Sequence, residues 1–189
     1  MVNPRPIHRS RRRIGNHARY PRDVRVYIPV TLAMLAALVS DQTMHARSGT
    51  AFAVTPTLRE SYAEGDDDEL AEVALREAAM ASIRLLAVEG PDPSLPTRRA
   101  VLVADVDGVT LRPDLDDAVV RLTGPVAMSD VVAAYVDNAD AEAAVAAAME
   151  VIDDADLGDE DAELTVGDAQ DHDLAWYATQ ELPFLIDLL

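Results

Sequence analysis

Asp105-Val106-Asp107-Gly108 is the stretch in which residue type and spacing most suggest chemistry. Two carboxylates, one residue apart, stand where the apolar run Ala100–Asp105 ends, and Gly167-Asp168 and Asp173 add acids further on. Such carboxylates share a Mg²⁺ ion only if their oxygens converge to about 2.0–2.1 Å from it. The plainer expectation for the same residues is a strand-ending turn, whose geometry Asp and Gly supply. Asp154, Asp156, Gly158, Asp159 and Asp161 have the composition of a calcium loop, but the glycine is misplaced and no glutamate closes the twelfth position. Histidines at 8, 17, 45 and 172 form no H-x-x-x-H pair, so zinc has little support. Ser48, His172 and Asp173 are the residue types of a hydrolytic triad, without the glycines of a nucleophile elbow. His45 and Arg47 lie in a loop after the first helix, placed either for an anion contact or for a salt bridge to a nearby carboxylate. No catalytic, cofactor-binding or metal-ligating residue is assigned on this basis.

The 105–108 stretch resembles the first motif of haloacid-dehalogenase-type phosphatases, and Gly167-Asp168 with Asp173 resembles their last. The resemblance implies Asp105 as nucleophile, Asp107 as acid/base, and Mg²⁺ as cofactor. It departs from that family in three ways. The chain has no lysine to balance a phosphate, Val109-Thr110 breaks the usual order after the glycine, and little chain follows the last motif. A Mg²⁺-dependent phosphohydrolase using Asp105 and Asp107 is therefore the alternative reading, not the preferred one.

Composition narrows the field further. There is no cysteine, which removes disulfides, thiolate ligands and thiol nucleophiles. All 16 basic residues are arginine, which removes a P-loop and Schiff-base chemistry. Residues 1–23 hold seven of those arginines and a single acid, leaving nine arginines against 33 acids in 24–189. A body this acidic repels phosphate backbones, so no nucleic-acid partner is expected. Residues 1–23 read as a disordered basic tail. Ser10-Arg11-Arg12-Arg13 followed by an apolar run mimics a twin-arginine export signal, but Pro29 interrupts that run. An over-long gene model, with translation starting at Val24, fits the abrupt change of pattern better.

Those residues need elements to position them. Val24, Val26 and Ile28 alternate with Arg25 and Tyr27 as a strand, and Thr31 caps a helix striped with Leu32, Leu35 and Leu38. Thr55-Pro56 opens a second helix, and Asp66-Asp67-Asp68 starts a third that runs to about Val88. Ala100–Asp105, Ala118–Leu122 and Val131–Val136 read as strands, Leu174–Tyr177 as a short edge strand, and Ala139–Ile152 as a helix. Asp153–Asp161 is expected to be a loop and Leu164 with Val166 a short edge strand. The sum is one α+β domain over 24–189, with helices on one face of a mixed, mainly antiparallel sheet, ferredoxin-like in arrangement. Trp176, Tyr177 and Phe184 are expected to anchor the C-terminal segment in the core; a partner-binding patch is the sharper reading.

Val24-Arg25-Val26-Tyr27-Ile28-Pro29 and Trp176-Tyr177-Ala178-Thr179-Gln180-Glu181-Leu182, together with His45-Ala46-Arg47 and Ala53-Val54-Thr55-Pro56, resemble a family of uncharacterised actinobacterial proteins. The resemblance covers 24–189. It implies a small cytoplasmic protein, and carries neither activity nor ligand. The functional expectation is a non-enzymatic protein acting through protein–protein contacts, with no cofactor and no membrane partner.

Overall fold

A computed structural model describes residues 23–62 and 64–189; the expectations for the tail fall outside the described residues. The chain runs β1 (Val24–Val30), α1 (Leu32–Asp41), β2 (Thr43–Met44), β3 (Thr50–Phe52), α2 (Pro56–Ser61), α3 (Asp67–Glu89), β4 (Ala100–Val106), β5 (Val109–Leu111) and β6 (Val119–Leu122). It continues with β7 (Val126–Ala127), β8 (Val131–Asp137), α4 (Glu142–Asp156), α5 (Glu160–Gln170), β9 (Leu174–Ala178) and α6 (Leu182–Asp187). Seven strands form one sheet in the order β5-β6-β3-β1-β4-β8-β9, while β2 and β7 pair separately. The α+β class holds. Every described pairing is antiparallel. The sheet carries seven strands, three more than the four of a β-α-β-β-α-β ferredoxin-like unit.

Helices cover both faces of the sheet rather than one. Val26, Ile28, Leu102 and Val136 pack with Leu32, Leu35 and Leu38 of α1 and Leu182 and Leu185 of α6. Tyr27, Val101, Val103 and Ala133, alternating with the first set, pack against Leu70, Ala74 and Ala78 of α3. Double coverage explains why β4 reads as an unbroken apolar run: neither side of it meets water. β1 continues through Pro29, which pairs with Val101 of β4. Its ladder to β3 registers at Tyr27↔Phe52 alone, which leaves room for a residue with no N–H to donate.

Local signals set the helix starts. Thr31 accepts from the Met34 N–H at 3.3 Å and Thr55 from the Leu58 N–H at 3.0 Å. Asp66 accepts from Asp68 and Glu69 while Glu69 reaches back to the Asp66 N–H, a complete capping box at α3. The acidic 153–161 stretch is not one loop, and Leu164 and Val166 are not in a strand. α4 extends to Asp156, and Asp159 caps α5 by accepting from the Ala162 N–H at 2.9 Å. Ala162, Val166 and Ala169 then face inward at helical spacing, and Leu164 is exposed. α4 and α5 form a hairpin packed on Ile83 of α3. No helix among the described residues is long and apolar enough to cross a membrane.

Candidate functional site

The four carboxylates that the phosphohydrolase reading requires do not converge: Asp105 and Asp107 share one cleft, and Asp168 and Asp173 lie elsewhere. Asp105 is held by Arg25 through two bonds of 3.0 Å. Asp107 is exposed in the β4–β5 turn beside Gly108, whose φ of 75° is the left-handed geometry such a turn favours glycine for. Asp23, Asp105, Asp107 and Asp130 line a cleft of about 270 Å³ there. Asp168 belongs to α5, and Asp173 precedes β9, whose Leu174 pairs with Asp137 at the opposite end of the sheet. Six residues of β4 separate the two ends, about 20 Å at 3.3 Å per residue, far beyond the reach of one cation. No three His, Asp or Glu side chains among the described residues could hold a metal ion together.

The other sequence candidates also separate. Asp156 pairs with Arg84 at 2.6 and 2.8 Å, and that hydrogen bond holds its carboxyl below the ordinary range. Asp159 is a helix cap. Ser48 adjoins β3, four strand positions from the His172–Asp173 turn before β9, which at about 4.8 Å per strand amounts to roughly 19 Å. His45 and Arg47 are exposed, and Arg47 forms no ion pair with any described residue, so the expected salt bridge is absent.

A buried polar cluster lies where the sequence reading looked for none. Arg99 is 2% and Asp137 0% exposed. The Arg99 backbone N–H, Nε and Nη2 donate to the Asp137 carboxylate at 2.8, 2.9 and 2.7 Å, and Nη2 also donates to the His172 carbonyl at 2.6 Å. This joins the start of β4, the end of β8 and the turn into β9. The bonds engage both oxygens of Asp137 and two of the three guanidinium nitrogens of Arg99, as a charge pair so far from water requires. The one available signal was position: each charge directly abuts an apolar strand.

The accessible feature of the molecule is its C-terminal edge. β9 forms the end of the seven-stranded sheet, and Leu174-Ala175-Trp176-Tyr177-Ala178 contains no charged residue. Trp176, expected in the core, is 57% exposed, because it lies on the last strand beyond the cover of α3. Tyr177 points to the opposite face, toward α1 and α6. α6 buries Leu182 and Leu185 but leaves Phe184 70% and Leu188 86% exposed. Between α6 and the proline-rich connector 90–97 runs a groove of about 770 Å³, lined by Leu95, Pro96, Tyr177, Phe184 and Leu188. Its charged members are Arg98, bound to Glu142 at 2.7 Å, and Glu181, which accepts from the Ala178 N–H at 2.7 Å.

Fold and surface together define an α+β protein with a buried Arg99–Asp137 pair and an open, uncharged sheet edge beside an aromatic groove. The chain belongs to the family of unknown function DUF6912, which matches residues 24–186. No curated protein and no solved structure matches it.

Proposed function

We propose that this is a non-enzymatic cytoplasmic protein that acts by binding another protein along its C-terminal edge. One observation carries the reading: Phe184 and Leu188 are mostly exposed along one groove, and Trp176 is mostly exposed on the other face of the edge strand beside it, so that apolar surface gathers at this edge. Exposed apolar patches of this kind mark interaction sites, and aromatic residues dominate the energetics of such sites. The acidity of residues 24–189 favours a protein over a nucleic acid as the partner.

Photo-crosslinking tests it. A benzophenone amino acid at position 184 in host cells should trap one discrete protein that the same probe at exposed Leu157, on the α4–α5 turn, does not. That protein, purified, should bind the wild-type chain and lose at least about ten-fold in affinity for Phe184→Ser, as expected for an aromatic anchor. Equal adducts at both positions would overturn the reading.

A further inference from the structure

Resting on that reading, we infer that the occupant of the C-terminal edge is an extended cationic segment of the partner protein, which adds as an eighth strand to β9. The first ground is backbone geometry. The Asp137 N–H of β8 turns to β4, donating to the Arg99 carbonyl at 3.0 Å, and the Ala178 N–H of β9 turns to the Glu181 carboxylate. With a period of two, β8 reaches β9 through Ala134 and Val136, and β9 answers through Tyr177 and Ala175. The N–H and C=O of Trp176 and Leu174 therefore point away from the sheet, where no described backbone or side chain bonds them.

The second ground is the lack of any device that closes this edge. Edge strands are ordinarily blunted by charges, proline or a bulge. β9 has none of these, and its register with β8 is regular over five residues. Side chains of an added strand alternate between faces. Those on one face enter the groove beside Tyr177 and Phe184, and those on the other pass over the exposed ring of Trp176.

Charge identifies the chemistry. Six of the nine arginines in 24–189 are each bound to a carboxylate, which leaves most of the 33 acids facing no arginine. Locally, Arg98 is bound to Glu142, and Glu181 is the acid that lines the groove. A second copy would bring the same excess of acid to the same edge. A segment alternating apolar and cationic residues instead fits both faces, its apolar side chains in the groove and its cations over the Trp176 ring, drawn by the acidic body.

The test uses a capped (Arg-Leu)4 peptide and the full chain at physiological salt. Titration should shift the emission of Trp176, the single tryptophan, with 1:1 saturation. Calorimetry should show affinity falling at least ten-fold for Phe184→Ser, for Trp176→Pro, which removes an outward N–H without touching the β8 ladder, and for a peptide N-methylated at alternate residues. The N-methylated peptide keeps the test valid if the proline variant fails to fold. Equal binding of (Arg-Ser)4 would reduce the effect to bulk charge and overturn the inference, and so would equal binding of (Glu-Leu)4. Sedimentation of the free chain as a dimer that Trp176→Pro dissociates would give the edge to a second copy and overturn it too. A crosslink specific to position 184, with no peptide binding, would sink this occupant alone and leave the docking surface standing.

Discussion

Asp137 accepts three N–H groups from Arg99, and the two side chains have almost no contact with water. Removing either partner strands the other, so Asp137→Asn or Arg99→Leu should each cost about 3–5 kcal/mol in urea unfolding. The double change Arg99→Met, Asp137→Leu should cost less than either single one, because it removes both desolvated groups together; a larger loss would contradict this account. Tyr27 offers a pH test. Burial, and then the neighbouring Tyr135, push its phenol above the ordinary value. A raised folded-state value contributes stability that is complete below about pH 10, the unfolded value, and is lost as pH rises through the folded one. Phenolate absorbance should therefore show one tyrosine titrating late, with unfolding coupled to it, and simultaneous titration of every tyrosine would refute the claim. Trp176, being exposed, should tolerate replacement by alanine with a loss within about 0.5 kcal/mol, as at ordinary surface sites. Its emission should already resemble that of a solvated indole.

At the scale of elements, the C-terminal segment is integral through other residues than its tryptophan. Leu182 is fully buried against α1, so Leu182→Ala should cost about 2–5 kcal/mol by thermal or urea unfolding. Asp159→Ala, which removes the cap of α5, should cost about 1 kcal/mol. How far such elements could be read from the chain depended on how local their causes are. Thr31, Thr55 and Asp66 act within three residues, and all three helix starts were legible. β1, β4 and β8 declared themselves by apolar pattern. The α5 helix was hidden because its inward residues Ala162, Val166 and Ala169 are sparse and its acids looked like a loop. Leu174–Tyr177 was legible as an edge strand, but burial of Trp176 was misjudged because it depends on which elements pack over that edge, and no local pattern encodes tertiary packing. Arg99 and Asp137 were missed for the same reason, since 38 residues separate them and only the β4–β8 pairing brings them together.

For the whole molecule, the excess of acid outside 1–23 has a measurable consequence at long range. Fields from exposed carboxylates are screened over about 8 Å at physiological ionic strength. Association with the (Arg-Leu)4 peptide should therefore weaken steeply as sodium chloride rises, chiefly through slower association, while urea stability changes little; salt-independent association rates would contradict the electrostatic part of the argument. The sheet order has another effect, on the way the chain is made. β1 is the first strand described, yet its full-length partner is β4, with Val30 opposite Ala100 and Val24 opposite Val106. At about 5–20 residues per second, β1 leaves the ribosome roughly 4–16 seconds before that partner exists. During this interval Val26, Ile28 and Val30 have α1 and the short β3 beside them but not the full-length partner β4. The nascent chain should therefore keep one edge of β1 unpaired until β4 is synthesised, and a ribosome stalled before Ala100 carries a product that cannot close its own sheet.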